Sequence, residues 1–325
     1  MMKNTMRAMR VEKPGEKMRL VEIPLPEPKA GQVLIEVLSC GVCNGDSVTI
    51  EGKAKEYPRI PGHEVIGYVR GLGMGVSNEW LNQKVGIGFH AGHGKINGQS
   101  VDGGFAEYMV AEVESIVQIP KGMQSEYTAP LMCAGETTFS ALFNSMARKG
   151  DLVAIEGIGG LGHLAIQYAK KLGFTTVAIS HGSTKEQLIK ELGADYFIDS
   201  SLTNPVDELK KLGLAKVILS TVPKQKNIKE LINGLKEYGQ LILVASSKEP
   251  LNLSASDLIA RRLSITGAFT SGKELIAQAL SFSNTHHIEP KIQLFPLEKA
   301  NEAYRAMKES KVQFRAVLQV KTIKC

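Results

Sequence analysis

Cysteine is scarce in this chain: 325 residues hold four, Cys40, Cys43, Cys133 and Cys325. So few, so unevenly spaced, cannot build the disulfide framework of a small secreted domain, and a reducing cytoplasm is the expected compartment. Long apolar runs are missing as well. No stretch approaches the roughly 18 residues of a membrane span. The opening MMKNTMRAMR carries charge without the apolar segment of a secretory signal. The net charge is +6, yet lysine and arginine are scattered and mixed with glutamate. Without a basic block or interleaved aromatics, nucleic acid is not an expected partner. Internal repeats and low-complexity segments are absent too. What is present is glycine, 32 residues, in a chain that is 43% hydrophobic. That is an ordinary globular composition with many tight turns, long enough for two domains with separate cores.

The first third contains short extended runs separated by turn residues: QVLIEVLSCGV, VIGYVRGLG, KVGIGF, FAEYMVA and SIVQIP. Alternation and Val/Ile content predict strands, so this part reads as mostly β. From Asp151 onward the pattern changes to units of about thirty residues in which strands alternate with helices. Six strands are expected, at LVAIEG, TTVAIS, DYFIDS, AKVILSTV, QLILVAS and LSITGAF. Helices are expected at LGHLAIQYAKKLG, TKEQLIKELG and NIKELINGLKEYG, each closed by a glycine C-cap. Such alternation is the sequence form of a doubly wound parallel sheet in an α/β protein. The tail KIQLFPLEKANEAYRAMKESKVQFRAVLQV offers strands and one amphipathic helix. It is too small to stand alone and is expected to return to the first domain. The expected division is 1–135, 136–271 and 272–325.

GIGGLG follows the strand LVAIE and opens a helix. In that setting Gly157 makes the tight turn, Gly159 admits a pyrophosphate close to the backbone, and Gly162 lets helix and strand pack. Gly160 and Leu161 complete the loop, and the helix N-terminus offers N–H groups to phosphate. A plain Gly-rich turn is the alternative. An NAD site usually has an acid about 20 residues on, holding the ribose. Here that place is Ser180, followed by Ser183, Thr184 and Lys185. Hydroxyls and an ammonium suit a 2′-phosphate, so NADP(H) is expected and NAD(H) is the alternative. Lys185 as an ordinary surface residue is the other reading of that position.

Cys43, His63 and Cys133 form a set of two thiolates and one imidazole, which suits Zn²⁺ and leaves one position open. CGVC could instead be a redox pair, and His90 with His93 in HAGH has ligand-like spacing but no thiol nearby.

GHEVIGYVRGLGMGV (residues 62–76), LMCAGETT and GIGGLGHLAIQYAK together resemble the zinc-containing alcohol dehydrogenases of the medium-chain dehydrogenase/reductase superfamily, over nearly the whole chain. The resemblance implies a GroES-like, mostly-β catalytic domain plus a six-stranded parallel Rossmann domain. It implies Cys43, His63 and Cys133 as catalytic zinc ligands, and Glu64 as a carboxylate that can approach or replace the fourth. Asp46 would orient the zinc-bound histidine, Thr137 would lie near the nicotinamide, and Asn44 would stand beside the pyrophosphate. ISHGSTK resembles the NADP-preferring branch that includes cinnamyl-alcohol dehydrogenases, with Ser180 and Lys185 at its phosphate. A dimer through the strand near LSITGAF, or a tetramer of dimers, is implied.

Two departures stand out. The lobe in which many relatives hold a structural zinc through four cysteines is here FHAGHGKINGQSVDGGFAEY, without cysteine. One catalytic zinc and no structural zinc are therefore expected. The family pattern Cys-x-Thr/Ser-Asp is here Cys43-Asn44-Gly45-Asp46. The missing hydroxyl normally passes a proton between the zinc-bound oxygen and solvent. Three readings follow: a zinc-assisted NADP(H) oxidoreductase for small aldehydes and alcohols, a conjugate C=C reductase of unsaturated carbonyls, or a non-catalytic NADPH-binding protein.

Overall fold

The computed structural model describes residues 4–223 and 228–321. The chain forms two compact units, Met1–Glu136 with Thr270–Cys325, and Thr137–Phe269.

In the first unit, β1 (Thr5–Arg10) and β2 (Arg19–Pro24) form an antiparallel pair. The other early strands are β3 (Gln32–Val42), β4 (Val65–Leu72), β5 (Lys84–Ile87), β6 (Tyr108–Glu112) and β7 (Ile116–Gln118). They interleave with two short helices, α1 (Ser47–Ile50) and α2 (Ser125–Thr128), and lead to α3 (Ala134–Phe143). All five runs that read as strands in the sequence are extended. β3 is the spine: it pairs antiparallel with β4 along one edge and with β6 on the other. Being central, it is buried on both faces, from Val33 to Val42. Val33, Ile35 and Val37 pack with Met9, Val65 and Phe105 in the unit's core. Each fully buried side chain of this size contributes about 1.5–3 kcal/mol.

The second unit holds β8 (Leu152–Glu156), α4 (Gly162–Lys171), β9 (Thr175–Ser180), α5 (Glu186–Glu191), β10 (Tyr196–Asp199) and α6 (Pro205–Lys211). It continues with β11 (Ala215–Ser220), α7 (Ile228–Leu231), β12 (Leu235–Leu243), α8 (Ala255–Ile259) and β13 (Ser264–Gly267). The six strands pair in parallel in the order β10-β9-β8-β11-β12-β13, the doubly wound arrangement.

One expected helix is corrected. Of NIKELINGLKEYG, Asn227 lies outside the described residues, and only Ile228–Leu231 is α-helical, followed by a 3₁₀ turn to Gly234. From Leu235 the chain is already strand, because the fully buried Leu235 pairs with Ala215 and joins the sheet core. Gly239 therefore caps no helix. It sits inside β12, where a Cβ would lie 2.7 Å from the Lys236 carbonyl. Burial of one apolar residue against the sheet outweighs a helical periodicity only two turns long.

The chain then returns to the first unit through α9 (Lys273–His286), β14 (Ile292–Pro296), α10 (Ala300–Lys308) and β15 (Arg315–Gln319). β15 pairs antiparallel with the far half of β3, Ala316 opposite Val42. The tail therefore completes a seven-stranded sheet. The helix α9 was not read from the sequence. No helix among the described residues is long and apolar enough to cross a membrane.

Candidate metal centre and nucleotide loop

β3 delivers Cys43 to the start of a 3₁₀ turn, Asn44–Asp46, which it caps. The Gly45 N–H donates to Cys43 Sγ at 3.5 Å, and the Cys43 N–H donates to Asp46 Oδ2 at 2.9 Å. Asp46 Oδ1 also accepts from the Gly62 N–H at 3.1 Å, which ties this turn to the segment carrying His63 and Glu64 just before β4. Cys133 ends the 3₁₀ segment Ala129–Met132 ahead of α3. The outcome is a buried cluster: ligand atoms of Cys43, His63, Glu64 and Cys133 all lie within 4.8 Å of one another.

Asp46 is 1% exposed, with Oδ1 3.0 Å from His63 Nδ1, a short contact at an angle that misses a straight hydrogen bond. Nε2 of the same ring is buried without a hydrogen-bond partner. The Phe89 ring meets His63 edge-on at 5.1 Å. Arg315, reaching in from β15, places Nη2 2.6 Å from each oxygen of Glu64, both residues being almost wholly buried. Gly41 permits this, since a Cβ there would lie 1.9 Å from Glu64 Oε2.

The electrostatics follow from burial and partners. Hydrogen bonding from Cys133 holds the Cys43 thiol well below its usual range, and the same bond pushes Cys133 well above it. Burial opposes charge on His63, but the negative charge and contact of Asp46 outweigh it and raise the imidazole well above its ordinary value. Burial pushes Glu64 up to about 8, against the pull of Arg315. Two sulfurs, an imidazole nitrogen and a carboxylate converge in a buried cluster, with a ring nitrogen left unpaired. That donor set fits a zinc ion, and the Asp46–His63 contact is the outer support a zinc-bound histidine needs.

Gly45 lies against this cluster. Its backbone is not left-handed, and a Cβ would stand 3.0 Å from His63 Cε1 and 3.3 Å from Nε2. Gln99, from the cysteine-free lobe, donates to the Gly45 carbonyl at 3.0 Å. In the same lobe His90 contacts Thr270 at 3.0 Å and His93 is exposed 3.5 Å from Glu114, so neither belongs to the cluster. Cys40 is buried within β3 and, like Cys43 and Cys133, is a free thiol. Asn44 accepts from Lys308 Nζ at 3.3 Å. Arg315 and Gln99 were not anticipated. A lone arginine inside the apolar run FRAVLQV was the one available signal; nothing marked Gln99.

In the second unit, GIGGLG occupies the β8–α4 turn. Gly157 adopts φ +85°, and a Cβ on Gly162 would sit 2.0 Å from the Gly157 carbonyl, so both positions require glycine. Nothing lies within 4 Å of a Cβ on Gly159, which leaves the loop open in front. Gly160 and Leu161 complete the turn into α4. This is a cradle that fits a dinucleotide pyrophosphate. Lys185 donates to the Ile158 carbonyl at 3.3 Å, and Ser180 ends β9. Thr137 is buried in α3.

Residues 160–285 match the family described as zinc-binding dehydrogenase, and residues 29–121 match the GroES-like domain of alcohol dehydrogenases. Alcohol dehydrogenase patD of Penicillium expansum is 38% identical over 94% of each chain. The chain belongs to the zinc-binding medium-chain alcohol dehydrogenases. Another member, aldehyde reductase AdhA of Synechocystis, is 32% identical over 89% of this chain and 91% of its own. A solved cinnamyl alcohol dehydrogenase from Sorghum bicolor superposes with a TM-score of 0.86 at 25% identity, covering 99% of this chain and 100% of that one. A GroES-like domain and a six-stranded parallel Rossmann sheet share one chain. The protein is an oxidoreductase.

Proposed function

We propose that this enzyme interconverts small aldehydes and alcohols with NADP(H), using one zinc per chain held by Cys43, His63 and Cys133, with Glu64 as a movable carboxylate. The observation that carries the reading is the buried convergence of those four residues. When bound, zinc supplies Lewis-acid polarisation of the substrate oxygen and the nicotinamide supplies or accepts hydride. The chain's own residues do the rest. Asp46 orients His63, Arg315 restrains Glu64, and burial limits the access of water to the cluster. Thr137 and Asn44 are proposed contacts of the nicotinamide and the pyrophosphate, and GIGGLG is the proposed phosphate cradle. Ser180 in the place of an acid, with Lys185 close to the loop, supports NADP(H) and kinship with the cinnamyl-alcohol-dehydrogenase branch. The free thiols support a reducing, cytoplasmic setting. A homodimer or homotetramer is the proposed assembly.

A second reading, conjugate reduction of an unsaturated carbonyl, is favoured by one observation. Gly45 presents no hydroxyl beside His63, at the position where the family pattern places the hydroxyl that passes a proton in carbonyl reduction. Zinc-assayed protein, given saturated aldehydes and enals with NADPH or NADH, separates the two. Allylic alcohol from an enal supports carbonyl reduction, and saturated aldehyde supports the second reading. We expect a higher kcat/KM with NADPH, inverted by Ser180→Asp. A higher value with NADH in the unmodified enzyme overturns the cofactor assignment.

A further inference from the structure

Where β9 ends in Ser180, no carboxylate is available to hold an adenosine ribose. The neighbouring strand offers one. Glu156 is the last residue of β8, in register with Ile179 of β9 and Ser220 of β11. Its carboxyl leans on Ser220, whose Oγ donates to Oε2 at 2.5 Å. Oε1 has no hydrogen-bond partner among the described residues. Glu156 lines a cavity of about 360 Å³ with Ser180, His181, Ser200, Asn204 and Val222. These residues lie at or just beyond the carboxyl ends of β8, β9, β10 and β11, where an open parallel sheet holds its ligand. Gly157 lines the same cavity, so it opens directly beside the phosphate cradle.

The other carboxylates around the cavity, and Lys185, are accounted for. Glu230 accepts from Asn204 Nδ2 at 2.5 Å, Asp199 accepts from the Gly182 N–H at 2.8 Å, and Lys185 reaches the Ile158 carbonyl. Glu156 is thus an acid held through one oxygen by a serine, on a residue that lines the cavity beside the phosphate cradle. Burial raises its proton affinity, a cost that a ribose hydroxyl donating to Oε1 would offset.

We propose that Glu156 reads the adenosine ribose of the dinucleotide in this enzyme, accepting a hydrogen bond from a ribose hydroxyl and opposing a 2′-phosphate. The inference rests on the dinucleotide reading of this unit. It makes the cofactor preference a balance, with Ser180 and Lys185 on the side of NADP(H) and Glu156 on the side of NAD(H).

Adenosine-half probes test this without the chemistry: 5′-AMP, which carries a free 2′-hydroxyl, and 2′,5′-ADP, which carries the phosphate. Their dissociation constants, by calorimetry, are compared in wild type and Glu156→Gln. Losing the charged acceptor should weaken 5′-AMP by about tenfold and tighten 2′,5′-ADP, as expected for a hydrogen bond to an ionised group. Glu156→Asp keeps the charge but withdraws it by one methylene. It should also weaken 5′-AMP without the gain for 2′,5′-ADP, and it covers the case in which the glutamine variant fails to fold. An affinity ratio unmoved in both variants, or a wild type that binds neither probe, overturns the role of Glu156. A wild type that prefers 5′-AMP while the ratio still shifts in Glu156→Gln overturns only the NADP(H) preference.

Discussion

A single methylene decides how Gly45 is to be understood. A serine Cβ there would begin 3.0 Å from His63 Cε1, so the ring must give by a few tenths of an ångström. The new side chain would then stand beside His63. Gly45→Ser is expected to raise aldehyde reduction by about one to two powers of ten, less than the full effect of a positioned acid–base group. Steady-state kcat/KM on a zinc-replete variant checks it, and an unchanged rate with intact zinc would show that the hydroxyl gap does not limit the reaction. Arg315 raises a different question of magnitude. Its guanidinium is the cation for a buried carboxylate. Above about pH 8, where Glu64 is ionised, removing it strands the carboxylate at a cost of about 3–5 kcal/mol, whereas removing both charges is far milder. Chemical denaturation of metal-free protein above that pH should show Arg315→Leu strongly destabilised and Arg315→Leu/Glu64→Gln largely restored. A loss under about 1 kcal/mol in the single variant would mean the pair is not coupled to stability.

Among the elements, β3 depends on Glu36 as well as on its apolar face. Glu36 accepts from Arg70 of β4 at 2.8 Å and from Lys321 just past β15, so one carboxylate joins three neighbouring strands. Burial alone would raise its pKa, but the hydrogen bonds and charges of Lys321 and Arg70 bring it below the ordinary 4.5. A depressed carboxylate contributes stability above its unfolded pKa and loses it as pH falls through the folded value. Glu36→Gln should therefore cost about 1–2 kcal/mol near neutrality, with the gap to wild type closing as the pH drops below about 4. Denaturant midpoints across that range test this. A gap that stays constant into acid would show that the charge is not what holds the strands. Elements also mark where local pattern fails: Leu235–Gly239 has helical periodicity, yet the sheet claims it because Leu235 is worth more buried than the turn it would extend.

For the whole molecule the decisive quantity is metal content. One zinc per chain is expected, and close to two would reveal a site outside this cluster. Cys133→Ser should abolish zinc binding and activity while the β core stays folded, since that core is built on Val33, Ile35, Val37 and their neighbours rather than on metal ligands. Asp46→Asn should weaken zinc by about 10–100-fold, the usual effect of losing the group behind a metal-bound histidine. Zinc titration against a competing chelator measures both, and wild-type affinity in Asp46→Asn would remove Asp46 from the site.

Strand and helix alternation, the glycine loop and the kinds of residue able to hold zinc were legible in the sequence by itself, because backbone periodicity and side-chain chemistry are local properties. The edge at Ser180 was legible for the same reason, as the absence of an acid at a fixed distance from a glycine loop. Tertiary structure alone brought Cys43, His63 and Cys133 within 4.8 Å and set Arg315 against Glu64 across 251 residues. It also set Gln99 under Gly45 and turned Glu156 toward a cavity. Those meetings depend on strand order and register: β15 beside β3 carries Arg315 to Glu64, and β8 beside β9 puts a carboxylate next to the serine that lacks one. No spacing along the chain encodes them, because pairing between strands far apart in sequence is decided by the sum of burial over the whole sheet.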